Sequence, residues 1–273
     1  MPDRSDLAIR MKENYEKIPR HYLMKRTPVA IRLDGKAFHT FTRGFKRPYD
    51  KVLGDTMVQT MKYLCENIQG CVFGYTQSDE ITLILIDYQT FDTAAWFDYR
   101  HDKLCSITAS MATLEFNRRF AENVDKYCVA NYINCCNLQD VLSVYSMPRL
   151  KTEDSLLHSY VSAMSRGAMF DSRAFNIPKE EVCNLVFWRQ LDATRNSIQM
   201  MGQAYFSQDQ LHEKTCSNIQ DMLMEHYKIN WNDTEVRWKR GVAWKPDLGD
   251  DYNMPILKGE NRRYVEEEIF IIE

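Results

Sequence analysis

Two apolar runs separated by four polar residues constrain the fold of this chain most strongly. The runs are CVFGYT (71–76) and ITLILID (81–87), and Gln77-Ser78-Asp79-Glu80 lies between them. Apolar runs of this length around a short polar segment are typical of a β-hairpin. The preceding chain is predicted to form another buried strand, PVAIRLDG (28–35), and then a helix. That helix has Asp55 as its expected N-cap and an apolar stripe of Met57, Met61, Leu64 and Ile68.

A second helix and a fourth strand complete the pattern. Leu104, Ile107, Met111 and Leu114 recur at helical spacing, and AMFDSRAFNI (168–177) is the best strand candidate after them. The order strand, helix, strand, strand, helix, strand is that of a ferredoxin-like sheet. We therefore predict an α+β fold with an antiparallel sheet and helices on one face, extended by additional helices and terminal strands. The first and third strands of such a sheet are central neighbours.

Residues 1–273 are predicted to form one unit, because no Pro/Gly/Ser-rich linker divides the chain. Its core would comprise residues 29–120 and 168–204. Residues 121–167 are predicted to be an irregular insertion, and residues 205–273 an extension of helices and strands. The flanking elements expected are an N-terminal helix (Leu7, Met11, Tyr15), a long helix from Pro178 toward Met201, a helix capped by Ser207 and Gln210, and strands in VRWKRGVAWK and EEEIFIIE.

Charge and cysteine patterns exclude several classes of protein. With 35 Lys and Arg against 38 Asp and Glu, the formal net charge of -3 excludes a broad basic coat but leaves room for a local basic patch. None of the eight cysteines forms a CxxC pair, so zinc-ligand spacing is absent and the cysteines are expected to fill core. The first twenty residues lack the apolar segment of a signal peptide, and no apolar run could span a membrane. A cytoplasmic protein without a membrane partner is predicted.

Two acidic residues occupy the most informative positions. Asp34 ends the first predicted strand, and Asp79 lies in the hairpin turn, so both carboxylates are expected at one edge of the sheet. Magnesium prefers one or two carboxylates together with substrate phosphates, and two such ions can assist transfer of a phosphate group. Gly35 allows close approach of the backbone, and its carbonyl is a further candidate ligand. The simpler alternative is an ordinary turn and a solvated loop.

Basic residues recur near these acids: Lys36, Lys46, Arg47, Arg100 and Lys103. Arg100 and Lys103 stand three residues apart at a predicted helix start, a suitable place to meet phosphate oxygens. The alternative for this pair is a solvated helix face.

The same segments carry a resemblance to a known family. The run IRLDGKAFHTFTRGFKRPYD followed by GYTQSDE resembles the tRNA-His guanylyltransferase family and its bacterial and archaeal guanylyltransferase-like relatives. WFDYRHDK, FWRQLDATRNS and WKRGVAWK support the match, which spans about residues 29–245. The resemblance implies a polymerase-like palm that adds nucleotides in the 3′-to-5′ direction to the 5′ end of a tRNA. It implies ATP activation of the 5′ phosphate, GTP or another nucleoside triphosphate as the second substrate, two Mg²⁺ ions, and a homotetramer built as a dimer of dimers.

The resemblance also implies residue roles. Asp34 and Asp79 match the metal-binding carboxylates, Gly35 offers the carbonyl ligand, and Glu80 matches a catalytic acid of the same motif. The nucleotide-binding positions would be Asp34, Gly35, Lys36, Ala37, Phe38, His39, Arg47, Ser78, Asp79, Arg100, Lys103 and Asn196.

One departure from the family bears on the substrate. Members specific for tRNA-His have Cys-His-Ile-Asn-Asn after WRQxD, whereas this chain has Ala193-Thr194-Arg195-Asn196-Ser197. Members without that histidine are associated with template-dependent repair of 5′-truncated tRNAs, and repair is the function predicted. Ile219 stands where the family has a lysine. The alternatives left open are addition of the extra guanosine to tRNA-His, a palm-type nucleotidyl cyclase, and a non-catalytic tRNA-binding module.

Overall fold

The computed structural model describes residues 5–131 and 155–271. Within them six strands form one sheet in the order β4-β1-β3-β2-β5-β6, and every neighbouring pair is antiparallel. The strands are β1 Val29–Gly35, β2 Cys71–Gln77, β3 Glu80–Leu85, β4 Phe170–Asn176, β5 Val242–Lys245 and β6 Gly249–Asp251. The predicted hairpin is confirmed as β2 and β3, and the first and third strands are neighbours as expected.

The helices follow the same chain order. The α-helices of the described residues are α1 Asp6–Met11, α2 Phe38–Phe41, α3 Lys51–Asn67, α4 His101–Asn131, α5 Ser155–Arg166, α6 Lys179–Tyr205, α7 Gln208–Leu211, α8 Cys216–Tyr227, α9 Val236–Arg240 and α10 Arg263–Ile269. A π-helical turn, Lys12–Glu16, continues α1. Short 3₁₀ turns lie at Trp96–Tyr99, Trp231–Asp233 and Gly259–Arg262. The helix from Pro178 and the Ser207–Gln210 capping box are both confirmed.

The two faces of the sheet bury different helices. Alternate residues of β1 point to opposite faces, so Ile31 and Leu33 pack with α3 and α4, whereas Ala30 packs with α6 and α10. The fold class is therefore as predicted, with the palm helices α3 and α4 on one face and the additional helices on the other. Because Asp34 follows Ala30 by four residues, it lies on the α6 side.

Asp50, and not Asp55, caps α3. Its side chain accepts hydrogen bonds from Leu53 N (2.9 Å), Lys46 N (3.0 Å) and the Tyr160 hydroxyl (2.7 Å). Asp55 lies one turn inside the helix and pairs with Arg237 at 2.7 Å. The prediction was wrong by one turn, because Lys51, Val52 and Leu53 already belong to the helix.

The buried face of α4 differs from the predicted stripe. Leu104 is buried, but Leu114 is 72% exposed, and the core side continues through Thr108, Ala112 and Phe116. Small and hydroxyl-bearing side chains let α4 approach its neighbours closely, and Thr108 bonds its hydroxyl to Leu104 O at 2.6 Å. The predicted stripe therefore departs from the buried face at Leu114, whereas Leu104 and Met111 pack in the core.

Several other boundaries also differ from the predictions. Residues 121–131 continue α4, and part of the expected irregular insertion is helix α5, while residues 132–154 lie outside the described residues. VRWKRGVAWK is helix α9 followed by β5, because Gly241 with φ 83° separates the two. The expected C-terminal strand is helix α10, in which Val265 and Ile269 are buried one turn apart. Leu7, Met11 and Tyr15 are in helical turns but are exposed.

Two findings concern the cysteines and membranes. Six cysteines in the described ranges are free; Cys65 and Cys183 are buried, and the other four are half-buried. Cys135 and Cys136 lie outside the described residues. Within the two described ranges, residues 5–131 and residues 155–271, no helix has the length and apolarity needed to cross a membrane.

Candidate active site

Asp34 and Asp79 meet at one end of the sheet. Asp34 is the penultimate residue of β1 and pairs in register with Glu80, the first residue of β3. Gly35 N donates to Asp79 O at 3.1 Å, which fastens the end of β1 to the hairpin turn. The structure thus brings together the two acids and the glycine that the sequence singled out.

The electrostatics of this pair favour a bound cation. Burial, together with the negative charge of Asp34, raises the pKa of Asp79, although a 3.0 Å hydrogen bond from the Ser78 hydroxyl opposes this shift. No His, Cys, Asp or Glu triplet in the described ranges could hold a metal by side chains alone. Two carboxylates with a backbone carbonyl suit Mg²⁺, which completes its octahedron with water and phosphate oxygens. The donor set therefore fits the metal that the sequence predicted.

The structure leaves no room for a side chain at position 35, so glycine is required there. A Cβ built on it would lie 2.3 Å from Phe38 Cδ2, because the chain turns back after β1. The Phe38 ring cannot easily move away, since it packs against Phe116 and Phe170 at centroid distances of 5.4 and 5.2 Å. Phe38, predicted as a nucleotide-binding residue, has its side chain in the core and anchors the loop.

A basic cavity opens beside Asp79. It measures about 540 Å³, within the range of ligand pockets. Its lining includes five predicted residues, Phe38, His39, Arg47, Ser78 and Asp79, and also Arg43, Lys46 and Gln203. Arg43 was missed by the sequence reasoning, although the run Arg43-Gly44-Phe45-Lys46-Arg47 was a visible signal. Lys36 and Ala37 are exposed on the adjoining turn and do not line this cavity.

A smaller apolar slot adjoins the basic cavity. It is lined by Met57, Val58, Ala193, Asn196, Met200 and Trp238 and shares Ser78 with the basic cavity. Tyr49 stacks on Trp238 at 5.2 Å with an interplanar angle of 4°. A charged cavity next to an apolar slot matches a ligand with phosphates at one end and a flat base at the other. Trp238 was expected on a strand, and its position on α9 beside the slot became visible only in the structure.

Glu80 points toward α6 and away from the basic cavity. Its carboxylate accepts from Arg189 Nε at 2.6 Å and lies 3.7 Å from Arg32 Nε. Burial raises the pKa of Glu80, and the two arginines oppose that shift. Arg189 also binds Asp192 at 2.8 Å, so the ion pair links β3 to α6. This buried link was not predicted, since Glu80 and Arg189 are 109 residues apart.

Arg100 and Lys103 lie far from the acids within this chain. Helix α4 runs antiparallel to β4, as contacts at Thr108–Ser172 (2.8 Å) and Asn117–Ala168 (2.9 Å) show. The start of α4 is therefore near the Asn176 end of β4, whereas Asp34 pairs with Asp171, five residues or about 17 Å away. The Arg100 guanidinium is held by Asp102 through two 2.7 Å hydrogen bonds. The structure does not bring these two basic residues together with Asp34 and Asp79.

The positions that depart from the family pattern have structural partners. The Thr194 hydroxyl donates to Gln190 O (3.0 Å) and Lys239 O (3.1 Å), which joins α6 to α9. Ile219 is buried beside Ile198 and Leu223. A lysine there would be buried among apolar side chains, so the substitution to isoleucine suits its surroundings.

Comparisons with known proteins agree with this geometry. A family model described as tRNAHis guanylyltransferase matches residues 9–178. A bacterial tRNA(His) guanylyltransferase-like protein, solved with ATP, is 34% identical with a TM-score of 0.77, covering 97% of this chain and 100% of that chain. A bacterial protein of the same description, solved with GTP, is 32% identical with a TM-score of 0.71, covering 98% of this chain and 100% of that chain. The tRNA(His) guanylyltransferase of Schizosaccharomyces pombe is 22% identical over 245 residues, 85% of this chain and 77% of its own length.

Proposed function

The chain belongs to the tRNAHis guanylyltransferase family and is a nucleotidyltransferase, and on that premise we propose its reaction. It adds nucleotides in the 3′-to-5′ direction to the 5′ end of a tRNA. The 5′ phosphate first displaces pyrophosphate from ATP and becomes adenylylated, and the 3′ hydroxyl of GTP or another nucleoside triphosphate then attacks that phosphate, gives up its proton and displaces AMP. The substrate is a 5′-truncated tRNA, repaired against the opposite strand as template.

The observation that carries the proposal is that Asp79 lines a basic cavity while its turn is hydrogen-bonded to Gly35, the residue directly after Asp34. His39, Arg43, Lys46 and Arg47 supply positive charge for a triphosphate, which arginine can bind with paired hydrogen bonds. The apolar slot offers Met57 and Trp238 to the base. Solved bacterial relatives hold ATP and GTP, which supports nucleoside triphosphates as the ligands here.

Asp34, Asp79 and the Gly35 carbonyl would hold two Mg²⁺ ions. When bound, magnesium polarises the phosphate oxygens and offsets charge on the attacking and leaving oxygens. The Ser78 hydroxyl orients the Asp79 carboxylate. The Gly35–Asp79 hydrogen bond keeps the acids in register, and the basic residues align the triphosphate for in-line attack.

Thr194 supports repair over untemplated guanosine addition. Threonine carries no imidazole, and the Thr194 hydroxyl already donates to two backbone carbonyls, so the position offers a substrate no free side-chain donor. We also propose that residues 1–273 act as one catalytic unit, with residues 29–120 and 168–204 as the palm. The homotetramer and the cytoplasmic location remain predictions.

The deciding experiment compares two RNA substrates. A 5′-truncated tRNA and a full-length tRNA-His are incubated with labelled nucleotides, ATP and Mg²⁺. We expect addition to the truncated tRNA only, and a change of the template base should change the nucleotide that is added. An Asp79→Asn variant serves as the inactive control.

Two results would contradict the proposal in different ways. Guanosine added to full-length tRNA-His opposite no template base would overturn the repair assignment and leave the chemistry intact. If the wild-type protein added nothing to either RNA, the nucleotide-adding activity itself would be refuted.

A further inference from the structure

A charged part of the sheet remains open beside Asp34. In the β1–β4 pairing Arg32 is opposite Arg173, and Asp34 is opposite Asp171. Side chains of directly paired residues share one face, and like charges so placed destabilise a sheet. Arg173 and Asp171 are both exposed, and their contact is only a 3.4 Å ion pair. The arrangement of these charges therefore does not serve stability.

Arg32 keeps unused hydrogen-bonding capacity at this place. Its Nε is buried and has no hydrogen-bond partner within residues 5–131 and 155–271, and Glu80 Oε2 lies 3.7 Å from it. The other oxygen of Glu80 is bound by Arg189 at 2.6 Å. Buried donors are normally paired, so an unpaired guanidinium NH next to a reaction site points to a missing acceptor.

Trp188 provides an exposed aromatic ring on the same side. It is 52% exposed on α6, and its ring centre lies 5.6 Å from Arg32 Cζ and 4.5 Å from Arg189 Cζ. Arg195 follows two turns later on the same side of the helix and is also exposed. We call Arg32, Arg173, Trp188 and Arg195 the open face.

Resting on the function proposed above, we propose that the open face binds the terminal nucleotides of the tRNA acceptor end. Trp188 stacks on a base, Arg173 contacts a backbone phosphate, and the exposed part of the Arg32 guanidinium adds positive charge beside the Trp188 ring. Aromatic rings interleaved with basic side chains are the usual means of holding unpaired nucleotides. Arg32 precedes Asp34 by two residues, about 7 Å along β1, so an RNA end on this face lies next to the acids. Charge complementarity favours RNA over a second copy of this chain, because a two-fold contact would place the same arginines against each other.

The test measures tRNA and nucleotide affinity separately in the full chain. Trp188→Ala should weaken binding of a 5′-truncated tRNA by about tenfold, the loss expected for one base stack. Trp188→Phe should retain affinity within about twofold because it keeps an aromatic face. Arg173→Gln should lower the slope of log affinity against log salt by about one, as loss of a single phosphate contact requires. The affinity for GTP should stay unchanged in all three variants.

Matched controls come from other surfaces. Phe91→Ala removes a ring that is 91% exposed in the loop after β3, and Arg118→Gln removes an exposed arginine on α4, across the sheet. Neither should alter tRNA affinity.

Each of three outcomes would contradict the proposal. If Trp188→Ala binds tRNA like the wild type while the wild type extends it, the open face is not the RNA site, although the proposed function stands. If Trp188→Ala instead changes the oligomeric state at unchanged tRNA affinity, the face is a contact between subunits. If the wild type binds no tRNA at all, the proposed function fails together with this inference.

Discussion

Gly35→Ala isolates the contribution of the tight turn after β1 to activity. The added Cβ would lie 2.3 Å from Phe38 Cδ2, about 1 Å closer than ordinary van der Waals contact. Phe38 is enclosed by other phenylalanines, so the turn has to shift by a similar distance. Overpacking of this kind costs about 1–3 kcal/mol of folding stability. A 1 Å displacement of the Gly35 carbonyl should also lower the rate by about 100-fold.

The assay is single-turnover nucleotide addition at saturating Mg²⁺, paired with urea unfolding. Gly249→Ala is the control, since a Cβ there meets no atom of the described residues within 4 Å and its φ of 71° adds only backbone strain. We expect it to lose about 1 kcal/mol of stability and no activity. Replacing Phe38 by Leu in the Gly35→Ala background frees space and should restore part of the rate. Full activity of Gly35→Ala, or no rescue by Phe38→Leu, would refute the steric argument.

Three further variants test other parts of the site. Burial and the charge of Asp34 raise the pKa of Asp79, so above this raised pKa the ionised carboxylate destabilises the folded state. The destabilisation disappears as the pH falls through the raised pKa and the carboxyl becomes protonated. Asp79→Asn should abolish addition because a proposed metal-binding carboxylate is lost. The same variant should raise the Tm at neutral pH in Mg²⁺-free buffer, and this gain in Tm should disappear at acidic pH. Arg189→Met should cost about 3 kcal/mol in urea unfolding, because the buried Glu80 carboxylate then has only Arg32, 3.7 Å away, as a partner; an unchanged midpoint would disprove the link. Asp50→Ala should lower stability by about 2 kcal/mol or more by thermal melting, since a helix cap is lost together with two other hydrogen bonds.

Local pattern predicted the part of the fold that places the acids. The β1 strand and each strand of the β2–β3 hairpin are apolar runs ended by polar turn residues. Each of them can therefore be recognised from about ten consecutive residues. The positions of Asp34 and Asp79 at strand ends followed from that pattern, and their metal-binding roles followed from the family resemblance.

The errors came where short patterns are ambiguous or where contacts are distant. Val265 and Ile269 are spaced for a helix, but the run EEEIFIIE also resembles a strand. The register of α4 depends on the close fit of Thr108 and Ala112 in the core, which hydrophobicity does not encode. The arginine partners of Glu80 belong to strand β1 and helix α6, and only the tertiary fold brings them together.

The apolar slot has a consequence for how this enzyme could diversify. The acids lie within the first 80 residues, whereas several of the slot walls, Ala193, Met200 and Trp238, come from α6 and α9. The matched family region ends at residue 178, before either helix begins. On the proposal that this slot holds the base, substitutions at Ala193, Met200 and Trp238 would change nucleotide choice without altering Asp34, Gly35 or Asp79.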